Sequence, residues 1–161
     1  MADRYASLGI ARARIQAMIK RLEDPRPALQ VVARKLEDMI RASFDASRSP
    51  AGKQFKRLAP STLKARKPGE GTTPLKKTGE TYGSVRVFVD GKHRIRCVFP
   101  AHLRIHMSGS RDGKLPKRNV LPFEKVGGHP RLIPKADDLM RRTLAAYHLE
   151  GKVVDLPLAA E

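Results

Sequence analysis

The first fifty residues repeat apolar positions every three or four residues, the period of a helix with one apolar face. Pro25 and Pro27 interrupt this pattern, because proline cannot continue the hydrogen-bond ladder inside a helix. The pattern predicts two amphipathic helices, one ending near Leu22 and one running from about Pro27 to Ala46. The stripe of the first is Leu8, Ala11, Ile15, Met18, Ile19 and Leu22. That of the second, which we expect to be buried, is Leu29, Val32, Leu36, Met39, Ile40 and Phe44.

The helical pattern is absent from residues 47–77, where glycine, proline and basic residues become frequent. "SRSPAG" is typical of a turn, "KPGEGTTP" of an open loop, and "APSTLKAR" of one helical turn capped by Ser61. Phe55 and Leu58 are large apolar side chains in this otherwise polar stretch. We therefore predict an extended basic arm at 47–77 with little core of its own.

Apolar residues alternate with polar ones over residues 85–99, which is typical of two half-buried strands. Asp90-Gly91 between them is a signal for a two-residue hairpin turn. A third strand is predicted from Leu103 to Met107. A last helix is predicted from about Lys135 to Leu149, with Gly151 as its stop signal.

These elements predict an α+β fold with two N-terminal helices, an extended basic arm, a small antiparallel sheet built on a hairpin, and a C-terminal helix. The length suits one domain, which we place at residues 1–150 with the arm inserted at 47–77. Residues 151–161 form a C-terminal tail for which the sequence indicates no partner.

The formal net charge of +17 predicts polyanionic neighbours, either nucleic acid or acidic protein surfaces. Aromatic residues are sparse, so the chain has little material for stacking single-stranded bases. No apolar run approaches the roughly 18 residues of a membrane span, and the first residues lack the apolar core of a secretory signal. The residues expected to face DNA or an acidic partner are Lys53, Lys56, Arg57, Lys64, Arg66, Lys67, Lys76 and Lys77.

The sequence shows no pattern typical of catalysis or metal binding. The single cysteine, Cys97, leaves no partner for an internal disulfide and no basis for a cysteine-based zinc site. His102 and His106 have the spacing of a helical metal pair, but four residues of the predicted strand span about 13 Å, too far to share one ion. Asp137 and Asp138 are interpreted as first-turn acids that complement a helix dipole. We therefore expect no enzymatic activity, no cofactor and no metal.

Four motifs occur in an order that resembles the phage virion morphogenesis family, whose members are small tail-completion or neck proteins of contractile-tailed phages. The resemblance covers about residues 25–148. It departs from the family pattern at Phe55, where tryptophan is usual, and at Thr81, where an apolar residue is common. A Pro-x-Arg-Pro-Phe element is reduced to Pro122-Phe123, with Arg118 displaced. The matching positions are Pro50, Gly52, Phe55, Leu58, Thr62 and Leu63, then Leu75, Thr78, Gly79 and Ser84, then Ile105, His106 and Gly109.

The resemblance implies a structural virion protein that forms a ring, sixfold in this family, at the head–tail junction or the head-proximal end of the tail. Implied partners are other copies of the chain, adjacent head-closure or connector proteins, and tail terminator, tube or sheath proteins, with non-specific contact to passing DNA. The particle would assemble in the bacterial host cytoplasm. The alternative from charge alone is a free, non-specific nucleic-acid-binding protein.

The predicted arm is the expected interface between subunits or rings, with Phe55 and Leu58 as its apolar anchors. Thr78 is expected to cap a short turn and Gly79 to relieve backbone strain, so that the chain enters the first strand at a fixed angle. The full set of expected interface residues is Phe55, Leu58, Thr62, Leu63, Thr78, Gly79 and His106.

Overall fold

Helix α2 (Arg26–Asp45) forms the centre of the fold. The structure, a computed structural model, describes residues 2–127 and 129–153. Pro27 lies in the first turn of α2, where a missing N–H leaves no hydrogen bond unmade. All six residues of the predicted stripe are buried, which confirms this helix and its inward face.

Helix α1 (Ala2–Glu23) is present as predicted, but most of its apolar stripe faces solvent. Every side chain from Leu8 to Gln16 is exposed. Contact with the rest of the chain is made near the end of the helix, where Arg21 Nε donates to the carbonyl oxygen of His148 at 3.0 Å. Helix α1 is therefore held at its C-terminal end and projects from the rest of the described chain.

Residues 47–55 fold back against the end of α2 instead of extending as an arm. The N–H of Phe55 donates to the carbonyl oxygen of Ser47 at 2.8 Å, and the N–H of Ser49 donates to that of Lys53 at 2.8 Å. The Phe55 side chain is 5% exposed and belongs to the main hydrophobic core. The expectation that Phe55 lies outside the subunit core is therefore wrong, because the turn at 47–55 returns this side chain to the core.

The remainder of the predicted arm contains one short helix, α3 (Pro60–Lys64), none of whose residues is buried. The helical turn is confirmed, but it begins after Ala59, and Ser61 does not cap it. Pro74 is buried and Leu75 packs against the core, so this segment is anchored at its far end as well.

The predicted hairpin is confirmed as strands β1 (Arg86–Val89) and β2 (Ile95–Val98), preceded by the short helix α4 (Glu80–Ser84). Val89 pairs with Ile95, so residues 90–94 form a five-residue loop in place of the predicted two-residue turn. The N–H of Val87 donates to Glu37 Oε2 at 2.9 Å, which joins the hairpin to α2.

The predicted third strand is wrong, because residues 101–108 form helix α5 (Ala101–Ser108). Leu103 and Met107 are four residues apart and share one face of a helix as readily as one face of a strand. In the structure Leu103 is fully buried, Met107 packs against the core, and Ile105 between them is exposed.

A second hairpin, β3 (Phe123–Val126) and β4 (His129–Leu132), was not predicted. Helix α6 (Pro134–Glu150) follows and ends before Gly151, as predicted. It packs against α2 and α1, and the α+β class is confirmed. None of the helices in residues 2–127 and 129–153 combines the length and apolar character that a bilayer span requires. The predicted tail beyond residue 153 lies outside the described residues.

Candidate assembly surfaces

A cleft of about 890 Å³ opens between four segments of the chain. One wall is the stretch 56–66 with helix α3, and a second is the stretch 75–81. The other two are helix α5, through His102 and His106, and the loop 114–118. Lys76 bonds to Asp45 at the last residue of α2, at 2.6 Å, between the lining residues Leu75 and Lys77. We call this feature the basic cleft.

Most of the expected interface residues line the basic cleft. Leu58, Thr62, Thr78, Gly79 and His106 come from three separate segments of the sequence, and the fold brings them together. Of the expected partner-facing basic residues, the cleft contains Lys56, Arg57, Arg66 and Lys77.

The other expected residues lie elsewhere. Phe55 is in the core, and Leu63 is exposed outside the cleft on α3. Lys76 bonds to Asp45 and lies 4.7 Å from the centre of the Tyr82 ring, so it stabilises the fold within its own chain. Of the expected partner-facing basic residues, Lys53, Lys64 and Lys67 are exposed outside the cleft.

Two motif glycines shape the cleft. Gly79 has a φ of 80°, in the left-handed region that favours glycine, and the hydroxyl of Thr78 accepts the N–H of Glu80 at 3.4 Å. The expected turn at Thr78-Gly79 is confirmed, although it leads first into α4. Gly109, with a φ of 75°, ends α5, and a Cβ there would lie 3.1 Å from the carbonyl oxygen of Leu115. Glycine therefore lets the loop 110–117 fold closely against the end of α5.

The cleft has a large excess of positive charge. Glu80 is the acid among its lining residues, and Lys77 forms an ion pair with Glu70 outside the lining at 3.4 Å. The basic lining residues are Lys56, Arg57, Arg66, Lys77, Lys114 and Arg118.

Arg118 lies deepest in this set, with only 4% of its surface exposed. Its guanidinium donates to the carbonyl oxygen of Lys56, at 2.9 Å from Nη2, and its backbone N–H donates to the carbonyl oxygen of His106 at 2.7 Å. It forms no ion pair with any described residue, and burial lowers the pKa of its guanidinium. The cleft therefore holds a buried cation that no carboxylate among the described residues neutralises.

Two further side chains of the cleft lining have buried polar atoms without a hydrogen-bond partner within the described structure, as do Thr143 and His148 on α6, outside the cleft. Nε and Nη1 of Arg66 and Nδ1 of His106 are buried and have no hydrogen-bond partner there. Burial, together with the charges of Arg118 and His102, lowers the pKa of His106 below its ordinary value of 6.5. Buried polar atoms in proteins are nearly always paired, so these atoms indicate a surface that is completed by something else.

His102 and His106 lie one helical turn apart on α5. The prediction that they lie on a strand, too far apart to share one ion, is therefore wrong. His102 Nε2 lies 2.8 Å from the hydroxyl oxygen of Thr81. Within residues 2–127 and 129–153, no group of three or more histidine, cysteine, aspartate or glutamate side chains is arranged to hold a metal.

The family model of the phage virion morphogenesis family matches residues 9–134, most of the chain. The chain belongs to the phage virion morphogenesis family. No curated protein and no solved structure is significantly similar to it. Membership gives the protein a structural role in building the phage particle, in association with other virion proteins.

Of the virion morphogenesis motif positions, those that line the basic cleft are Leu58, Thr62, Leu75, Thr78, Gly79 and His106. Sequence interpretation missed Arg118, Lys114 and His102 as cleft residues. The sequence predicted a strand at residues 103–107 in place of α5 and no element at residues 108–119, so neither stretch was expected to face residues 56–66. The position of Arg118 just before the apolar residues 120–122 could have indicated that it is buried, because those three residues lie in the interior and Arg118 lies two residues before the first of them.

The second candidate assembly surface of this virion protein is the exposed stripe of α1. Leu8 is 64% exposed and Ile15 55%, and Ile19 and Leu22 are also exposed. Monomeric proteins rarely expose large contiguous apolar patches, and those that occur usually mark interaction sites. The stripe therefore indicates a protein partner.

Proposed function

We propose that this protein is a structural virion component that assembles as a ring of identical copies at the head–tail junction or the head-proximal end of the tail. Family membership supports the virion role. The resemblance to tail-completion proteins supports a sixfold ring. The observation that carries the assembly step is α1, which projects from the chain with its apolar stripe uncovered.

A second copy of the chain is the occupant that we assign to the α1 stripe. Helix α1 is attached at the start of α2, where Arg21 bonds to the end of α6, whereas the basic cleft adjoins the last residue of α2. One copy thus has two uncovered surfaces, the α1 stripe near the start of α2 and the basic cleft near its end. A contact between two different surfaces repeats from copy to copy and closes into a ring when the rotation allows.

The ring would lie between other virion proteins. Its neighbours on this proposal are a head-closure or connector protein on one side and tail terminator, tube or sheath proteins on the other. The net charge of +17 would favour non-specific contact with DNA passing through the ring. The mechanism is binding and positioning, with no chemical step.

The charge also supports a second candidate, a free non-specific nucleic-acid-binding protein. The exposed α1 stripe disfavours it, because DNA presents phosphates and base edges rather than an aliphatic surface.

Inactivation of the gene in a phage or prophage that carries it tests the proposal. We expect heads and tails that do not join, or unfinished tails, and we expect a plasmid copy of the gene to restore joined particles. Electron microscopy of the lysates distinguishes these outcomes. Normal infectious particles made without the protein would contradict the proposal.

A further inference from the structure

The basic cleft has the charge to bind an acidic segment, and the chain itself contains one. We infer that residues 154–161 of a neighbouring copy bind in the basic cleft. This inference rests on the proposed ring, because it names the segment that joins one copy to the next. Three separate observations support this inference: the charge and lining of the cleft, the composition of residues 154–161, and the distance that this segment can span.

A negatively charged partner would neutralise the buried guanidinium of Arg118. A buried charge is costly unless it is paired, and the hydrogen bond from Arg118 to the Lys56 carbonyl leaves its charge unneutralised. No described residue supplies a carboxylate to it. A carboxylate from outside the described chain would pair with the guanidinium through charge-assisted hydrogen bonds.

Arg66 provides further donors in the same cleft, and His106 provides a further unpaired ring nitrogen. Nε and Nη1 of Arg66 are buried N–H groups without partners among the described residues, and Nδ1 of His106 is also unpaired. A carboxylate oxygen accepts more than one such hydrogen bond. The arrangement thus suits acidic side chains.

The lining of the cleft is also partly apolar. Leu58, Leu75 and Leu115 line it together with Pro60 and Pro116. Its described lining contains no Phe, Tyr or Trp on which a nucleic-acid base would stack. These features favour a peptide with aliphatic side chains between its acids over a strand of nucleic acid.

Residues 154–161, "VDLPLAAE", have that composition. The segment contains Asp155 and Glu161 and no basic residue, whereas the whole chain has a net charge of +17. Leu156 and Leu158 lie between the two acids. It is therefore complementary to the cleft in both charge and apolar character.

The length of the segment favours the cleft of another copy. The hydroxyl of Tyr147 donates to the carbonyl oxygen of Asp24, which places the end of α6 beside the start of α2. The cleft adjoins the other end of α2, about 30 Å away for a helix of 20 residues. The four residues from Gly151 to Asp155 span at most about 14 Å when fully extended. Asp155 and Leu158, four and seven residues beyond Gly151, therefore fall short of the cleft of their own chain, whereas Glu161, ten residues beyond Gly151, could span at most about 36 Å and is not excluded from it by length.

Photo-crosslinking in the full-length protein tests the inference. The residue to be replaced by p-benzoylphenylalanine is Leu158, and Leu149, which is exposed on α6, is the matched control position. Copies labelled with heavy and light nitrogen are mixed, so that mass spectrometry separates crosslinks between copies from those within one. The mass of the assembly is measured in the same sample.

We expect the probe at position 158 to crosslink to the cleft of another copy, at residues 56–66 or 114–118, and the probe at position 149 to give no such product. Asp155→Asn with Glu161→Gln should lower the crosslinked fraction about tenfold, the change in affinity that corresponds to one charge-assisted hydrogen bond. The control Glu150→Gln should leave that fraction unchanged.

Assembly without crosslinks between residue 158 and the cleft would overturn the inference and leave the ring intact. Crosslinks only within one copy would overturn it too, as would a monomer without crosslinks between copies. Protection of the cleft lysines by a duplex oligonucleotide, without a product from position 158, would assign the cleft to nucleic acid instead. Failure of the ring itself is judged separately, by the mass of the assembly, and failure of the virion role by gene inactivation.

Discussion

Phe55 joins the basic segment to the core of the subunit. It is the one aromatic residue in the sequence from 47 to 77, and its ring is buried while Leu58, three residues on, is half-exposed in the cleft. These two residues thus have different tasks. Phe55 stabilises the fold, and Leu58 is available to a partner.

Replacement of Phe55 by alanine is expected to lower the free energy of unfolding by about 3–5 kcal/mol, the usual cost of removing a buried phenylalanine ring. Leu58→Ala, the matched control, should cost much less, because its side chain is not fully buried. Urea unfolding followed by circular dichroism measures both. Equal, small losses of unfolding free energy in the two variants would show that Phe55 is not buried in the core.

His106 gives the fold a dependence on pH. Its folded pKa is lowered, so below about 6.5 the unfolded chain binds more protons at this site than the folded chain. Stability should therefore fall as the pH is lowered from 7 through the folded pKa, and His106→Gln should reduce this fall. A titration by nuclear magnetic resonance that gives His106 a pKa of 6.5 or higher would contradict the expectation.

At the scale of elements, α1 packs against α6 near its end and leaves most of its apolar stripe exposed. Its stripe was predicted, but the periodicity of a helix shows only that one face is apolar, not what covers that face. In α2 the corresponding stripe is buried by β1 and α6. The difference arises from partners that are distant in sequence.

Two isoleucines of α1 allow a matched test of its role. Ile15 is on the stripe, and Ile10, with 57% of its surface exposed, lies about 140° around the helix from it. We expect Ile15→Asp to prevent association of copies and Ile10→Asp to leave it unchanged, with the same helix content in both. Sedimentation velocity and circular dichroism measure the two properties. Equal association of the two variants would show that the stripe is not the contact.

Sequence patterns predicted the long elements and missed short ones whose form depends on tertiary contacts. Helices α2 and α6 and the first hairpin were predicted because their apolar patterns are long or alternate strictly. Helix α5 was taken for a strand, since Leu103 and Met107 fit both periods. The cleft was predicted only in part, because Arg118 reaches Lys56 across 62 positions of sequence.

For the whole molecule, the excess of basic residues predicts how its affinity for DNA depends on salt and on sequence. Contacts from lysine and arginine to phosphates release counterions, so affinity should fall by roughly 10³–10⁵ between 50 and 200 mM salt if six to ten phosphates are contacted. Fluorescence anisotropy with two unrelated duplexes should give similar affinities. Tight binding of one sequence at high salt would favour a free nucleic-acid-binding protein.

The central claim is that copies of this chain form a ring in the virion, and cryo-electron microscopy of intact particles tests it most directly. We predict a closed ring at the head–tail junction or the head-proximal end of the tail, into which the described fold fits once per subunit. In that ring, α1 of each copy should contact its neighbour. Particles that contain no copy of the protein, or contain it only as single copies bound along DNA, would contradict the claim.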